Sequence, residues 1–234
     1  MSISSAPLSV VIPAWNAARY LGEAIASVLA GGARIDEIVV ADDGSSDDTC
    51  AIAKRFPEVV VASQAHRGIA AARNLGVRTS RGEVLAFIDA DDLWTAGRLV
   101  SQLAALEAEP DAIVLGLSDE FVSPDLDDAE RALLRPKPGQ SPGYLAGAML
   151  MARTTFDRVG PFDESLPIGE VIAWFQRATM LGIPQRVLPE LVLSRRLHRD
   201  NFTRGRQQKT DYTLLAKHVL DAKRAAKREG EEPR

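Results

Sequence analysis

The chain has a single cysteine, Cys50, in 234 residues. That excludes an internal disulfide and a cysteine-built metal centre, and Cys50 reads as a small buried hydrophobe. An excess of one charge is also lacking: 28 Lys and Arg stand against 32 Asp and Glu, a net −4. So mild a balance carries no general basic footprint for nucleic acid. No apolar run approaches the roughly 20 residues of a membrane span. The first apolar run has no basic region before it, so it does not read as a signal peptide. A cytoplasmic protein, or one peripheral to the inner face of the membrane, is therefore expected. There is no internal repeat and no low-complexity tract. The apolar and charged fractions, 46% and 26%, are those of a globular protein. The length allows one domain with a proper core.

What is present is a series of short apolar runs that end in polar turns. Residues 8–12 (LSVVI), 35–41, 59–62 and 84–88 read as buried strands. Segments 17–29, 46–56, 69–77 and 95–109 read as the helices between and after them. Gly31-Gly32 and Pro57 stop the first two, and Ser46 or Asp47 reads as the cap of the second. Gly44 suits a turn that needs positive φ. Four strands alternating with four helices predict an α/β fold: a doubly wound, mostly parallel central sheet flanked by helices. Ligands of such sheets bind at the carboxyl ends of the strands. Beyond residue 111 the pattern loosens. Segments 112–117, 147–152 and 185–193 read as strands, and 127–134, 154–159 and 170–181 as helices. Residues 118–143 form a long polar stretch broken by Pro124, Pro136, Pro138 and Pro142. Segment 207–228 predicts a C-terminal helix with Tyr212, Leu215, Val219 and Leu220 on its apolar side. That helix is expected to pack on the domain with a solvated basic face; docking to an anionic membrane or a partner is the sharper alternative.

The most informative stretch is 83–94, EVLAFIDADDLW. An apolar strand runs straight into Asp89-Ala90-Asp91-Asp92. Like charges this close repel unless a cation sits among them. In extended chain, residues two apart point the same way, so Asp89 and Asp91 can face one point while Asp92 faces elsewhere. Two hard oxygen ligands with open positions suit Mg²⁺ or Mn²⁺ shared with substrate phosphates. An acidic turn that caps the next helix would look similar. The other strand exits are polar too: Trp15-Asn16 after the first, and Asp42-Asp43-Gly44-Ser45 after the second.

In order, VVIPAWN, IVVADDGSSDDT, RGIAAARNLGVRTSRGEVLAFIDADD and GPFDESL with Glu170 downstream resemble the family two glycosyltransferases of the GT-A fold. The likeness spans about residues 8–201. It implies a GT-A domain over 1–206, with a donor-binding half at about 1–110 and an acceptor half at about 111–206, followed by a helix and tail at 207–234. It implies transfer of a sugar, as in a hexosyltransferase, from a nucleotide-diphosphate donor with uridine the commoner base. Pro13, Ala14, Trp15 and Asn16 would line base and ribose. Asp42 or Asp43 would accept from the base, and Arg73 would sit near it and buttress an aspartate. Asp89 and Ala90 would lie along the donor, and Asp91 would carry the Mn²⁺ or Mg²⁺ with Asp89 beside it. His198, in Arg196-Leu197-His198-Arg199-Asp200-Asn201, would reach the metal or the phosphates. Arg195 and Arg196 would fork onto phosphate oxygens.

The resemblance breaks at one position. Inverting members commonly carry Glu-Asp where this chain has Glu170-Val171, and that Asp is the general base. Valine cannot deprotonate an acceptor hydroxyl, so Glu170 is the nearest candidate, with Asp163 and Glu164 behind it. A nucleotide-sugar-binding protein with weak or lost transfer is the alternative. A nucleotidyltransferase would want a glycine-rich signature after the first strand, and a dinucleotide fold Gly-x-Gly-x-x-Gly; neither appears. The acceptor, whether glycan, lipid-linked molecule, peptide or small molecule, is left open, and a homodimer is a further expectation.

Overall fold

The computed structural model describes residues 3–32, 35–199 and 201. The expected helix over 207–228 lies outside the described residues. Strands β1 (Leu8–Ala14), β2 (Glu37–Asp42), β3 (Val59–Ser63) and β4 (Val84–Phe87) alternate with helices α1 (Leu21–Leu29), α2 (Thr49–Ala53) and α3 (Ile69–Thr79). Then come β5 (Leu93–Trp94), α4 (Arg98–Ala108), β6 (Ile113–Val122) and α5 (Asp128–Leu133). The chain continues through β7 (Ser141–Pro142), β8 (Leu150–Ala152), α6 (Arg153–Val159), α7 (Glu170–Met180) and β9 (Gln185–Leu197).

The nine strands of the described residues form one sheet in the order β3-β2-β1-β4-β8-β6-β9-β5, with β7 on the side of β6. The first four are parallel, as expected of strands that are apolar on both faces. From β4 onward the sheet is mixed: β8 runs antiparallel to β4 and β6, β9 parallel to β6, and β5 antiparallel to β9. Strand β1 lies in the middle and is buried throughout. Ile88 N–H donates to Val11 O and Asp43 N–H to Ala14 O, so residues 11 and 13 face β4. Pairing with β4 ends at Val11 and Phe87. Pro13, which has no N–H to give, thus falls where there is no strand to receive it.

Helix α3 lies close on this sheet: a Cβ at Gly76 would stand 2.3 Å from Val11 Cγ1. A continuous apolar core extends from β1 and β2 to Phe156, Phe162, Trp174 and Phe175, beneath both expected halves.

Three local expectations are corrected. Helix α1 starts at Leu21 rather than residue 17, and α2 spans only Thr49–Ala53. Ser46 does not cap α2; Asp48 holds the cap position without a side-chain bond, and Asp47, one residue before it, accepts from the first helical N–H, that of Thr49, at 3.0 Å. The polar side chains instead stitch two loops together. Asn16 N–H donates to Ser45 Oγ at 2.9 Å, Ser46 N–H to Asn16 Oδ1 at 2.8 Å, and Ala17 N–H to Thr49 Oγ1 at 2.8 Å. Second, β6 runs on to Val122 through residues read as loop, because β9 accompanies it to Leu197. A parallel partner supplies the ladder that Ser118-Asp119-Glu120 could not signal by hydrophobicity. Third, Cys50 is only half-buried.

Candidate functional site

The carboxyl ends of β1, β2 and β4 open on one edge of the sheet. At the β2 exit Asp42 and Asp43 are both buried. Asp42 Oδ1 accepts from Ser45 N–H at 3.2 Å. Gly44 follows with φ +76°, and a Cβ there would stand 2.9 Å from His66 N. Glycine is needed at that turn for both reasons. Asp43 gathers the loop before α3. Its Oδ1 accepts from Gln64 Nε2 at 2.7 Å and Arg67 N–H at 3.0 Å. Its Oδ2 takes Gly68 N–H at 2.8 Å and lies 2.8 Å from His66 Nδ1. The β1 exit places Pro13 and Ala14 in the buried strand, so they support the loop rather than project from it. Trp15 is exposed, and its ring stacks on His66 with centroids 4.5 Å apart and planes at 26°. Asn16 takes a positive φ of 47°.

The β4 exit carries the acidic triplet. Asp92 is buried and accepts from Arg196 N–H at 2.9 Å. Burial, then the charges of Asp91 and Asp89, push its pKa well above the usual carboxylate range. Asp89 and Asp91 are about a third exposed, 35% and 31% by side chain. They diverge: Asp89 Oδ1 takes Arg73 Nη2 at 2.6 Å, and Asp91 Oδ2 takes His198 Nε2 at 2.9 Å and Asn201 Nδ2 at 3.3 Å. Ala90 between them is buried.

Among the described residues, no group of three or more His, Cys, Asp or Glu side chains forms a ready-made metal cage. The residues fit a small hard cation that takes one or two protein oxygens and draws the rest from phosphate and water. His198 Nδ1 is buried without a partner among the described residues.

Arg73 is the hub. It is buried, donating through Nη2 to Asp89 and through Nη1 to Glu170, over the Phe162 ring. Burial alone would pull its pKa down; the Asp89 and Glu170 carboxylates outweigh this and hold it above its ordinary value. Glu170 opens α7 directly after Gly169, whose φ is +80°. The helix is fixed by Trp174, fully buried, whose Nε1 donates to Gly160 O at 2.8 Å. Val171, beside Glu170, packs against the core. Of the weaker candidates, Asp163 Oδ1 accepts from Ser165 N–H at 2.9 Å, and Glu164 takes Asn74 Nδ2 at 2.9 Å and Arg67 Nη2 at 2.8 Å.

Arg195 and Arg196, beyond the strand expected over 185–193, are part of β9. Arg196 is buried, and its guanidinium is occupied. It donates to Asp91 O at 2.9 Å, Ser123 Oγ at 3.1 Å and Glu23 Oε2 at 2.5 Å, between the Tyr20 and Phe121 rings. It braces the backbone of the triplet. Arg195 lies 3.6 Å from Glu120 at the edge of a cleft of about 150 Å³ that Ser118, Lys137 and Tyr144 also line. Tyr144 meets Phe175 edge-on at 5.6 Å, one helical turn beyond Val171.

The sequence reading missed Gln64, His66 and Arg67, which sit at the exit of β3. A polar run, 64–68, at a further strand exit was the available signal.

The sequence pattern of glycosyl transferase family 2 matches residues 9–155, more than half of the chain. The succinoglycan biosynthesis protein ExoU of Rhizobium meliloti is 30% identical over 207 residues, 76% of this chain and 58% of that protein. A UDP-Glc:α-D-GlcNAc-diphosphoundecaprenol β-1,3-glucosyltransferase of Escherichia coli, WfaP, is 26% identical over 121 residues, 50% of this chain and 47% of that protein. The chain thus spans about half the length of these relatives. Among solved structures, S. aureus TarS 1-349 in complex with UDP superposes with a TM-score of 0.68 over 91% of this chain and 64% of that one, at 18% identity. The GT-A arrangement of sheet and helices is therefore the fold of this chain.

Proposed function

The chain belongs to glycosyl transferase family 2, and on that premise we propose that it transfers a sugar, with inversion, from a uridine-diphosphate sugar to an acceptor hydroxyl. The carrying observation is the β4 exit. Asp89 and Asp91 are each held through one oxygen by a neighbouring side chain, Arg73 or His198, beside the buried carboxylates of the β2 exit. The choice of uridine follows the donor for which WfaP is named and the UDP in the TarS complex.

In this reading the exits of β1 and β2 hold the nucleoside, and Asp91, with His198 beside it, would hold Mn²⁺ or Mg²⁺. Such a cation neutralises charge that develops on a departing diphosphate. Arg196 keeps the Asp91 backbone in place, and Arg73 fixes the rotamer of Asp89. The cleft between Glu120, Arg195 and Tyr144 is the proposed acceptor entrance, since it borders the helix that carries Glu170.

Glu170 is the carboxylate nearest the place of the missing base. Its pair with Arg73 counts against basicity, because taking up a proton would leave a buried guanidinium with Asp89 alone. A positioning role for Glu170 is therefore favoured, and Val171 beside it supports the second reading, a donor-binding protein with weak transfer. Calorimetry and turnover of Glu170→Gln separate these roles. A general base would lose ~10²–10⁴-fold in turnover with donor affinity intact, whereas a positioning residue would lose donor affinity as well. The primary test is a thermal-shift panel of nucleotide sugars with and without Mn²⁺, since a ligand of the folded state alone raises its melting temperature. Stabilisation by none of them would refute the proposal.

A further inference from the structure

The nucleoside end of the site holds a contact that the proposed function does not use. Asp43 offers four lone-pair directions, as any carboxylate does, and the protein itself fills all of them. Gln64 Nε2 and Arg67 N–H take Oδ1, while Gly68 N–H and His66 Nδ1 take Oδ2. The two amides belong to the start of α3 and stay with it. Of the two side chains that bond Asp43, Gln64 and His66, His66 is the exposed one, 55% exposed by side chain against 3% for Asp43. Its imidazole also lies flat on Trp15, with ring centroids 4.5 Å apart. Gly44 holds the loop backbone close beneath, 2.9 Å from its would-be Cβ to His66 N.

A heteroaromatic ring that stacks on an indole and turns a ring nitrogen to a buried carboxylate makes the two contacts that a nucleobase would make there. We propose that His66 occupies the nucleobase seat as a built-in competitor, which the donor nucleotide displaces on binding. This rests on the reading of the β1 and β2 exits as a nucleoside site. Displacement requires only a side-chain rotation, because His66 is tethered by its ring alone. It frees one lone pair of Asp43 and one face of Trp15 together. Binding to a state that is only partly populated weakens apparent affinity by the populated fraction. If the swung-out rotamer is about a tenth populated, removing the ring tightens binding about tenfold.

The test is calorimetric titration of the full chain with uridine, guanosine, adenosine and thymidine diphosphates, in wild type, His66→Ala and His66→Phe. His66→Ala is expected to bind the preferred nucleotide about 3–10-fold more tightly, by the same populated-fraction argument. His66→Phe keeps a ring on Trp15 without a nitrogen for Asp43 and should fall between the two. His66 is exposed, so both variants should keep the wild-type melting temperature. Equal or weaker binding by His66→Ala, with wild type binding normally, overturns this proposal and leaves the nucleotide site standing. Weaker binding would make His66 a wall of the base site. No binding of any nucleotide by wild type or variant overturns both.

Discussion

Removing Arg73 tests the hub of the site most directly. Its guanidinium is 3% exposed and joins Asp89 to Glu170, two carboxylates from segments 81 residues apart in sequence (170 − 89). Arg73→Met keeps most of the side-chain volume over Phe162 and removes the charge. Breaking one partner of a buried pair typically costs ~3–5 kcal/mol, because the remaining charge stays desolvated. Here two charges are stranded unequally. Glu170 is 9% exposed by side chain and bears most of the cost. Asp89, at 35%, is screened by water, so its share is small.

The lower part of the range, about 3 kcal/mol, is therefore expected, which for a chain of this size lowers the melting temperature by about 6–12 °C. The assay is urea unfolding of wild type, Arg73→Met, Glu170→Gln and the double variant, as a cycle. Glu170→Gln removes the stranded charge, so the double variant should recover most of what Arg73→Met loses. Donor affinity should not recover, because Asp89 still lacks its tether. A loss below about 1 kcal/mol in Arg73→Met, within the range of an exposed pair, would refute the buried-hub reasoning. So would a double variant no more stable than the single one.

Asp91→Asn should abolish most of the Mn²⁺-dependent part of nucleotide binding while the melting temperature without metal stays near wild type; calorimetry with and without Mn²⁺ reads this. Asp43→Ala should lose both stability and nucleotide affinity, by ~1–3 kcal/mol each, because it orphans two amides of the α3 entry as well as the base contact. Asp92→Asn should stabilise the fold at neutral pH. Asp92 is raised in the folded state by burial and by Asp91 and Asp89, so the folded state binds the extra proton. Its contribution is full below the unfolded carboxylate pKa and is lost as pH rises through the folded one. Asparagine keeps an acceptor for Arg196 N–H and should flatten that decline, as seen in urea unfolding from pH 4 to 7 without divalent cation.

How far the sequence could be read follows from where each contact lies along it. The parallel half was legible because its strands are apolar on both faces and each ends in a polar turn, so periodicity and punctuation agree. The polar half of β6 was not, since Ser118, Asp119 and Glu120 enter a strand only because β9 runs beside them. The site was legible as a list of strand exits, but its wiring was not. Asp89 and Asp91 share a face in principle; Arg73 draws one aside and His198 the other, across separations of 16 and 107 residues. Arg196 reads as a phosphate fork until Glu23, 173 residues away, is found against it. The same holds for Glu170: its spacing from Gly169 and Trp174 put it at the start of a helix, where it is found. Only the fold shows that a buried arginine already holds it. A residue type marks what a side chain can bind, and burial with long-range partners decides how much of that capacity remains for a substrate. By that measure Asp89 and Asp91, each about a third exposed, retain the most and Arg196 the least, which is why the metal-dependence of Asp91→Asn is a more decisive measurement than any change at Arg196.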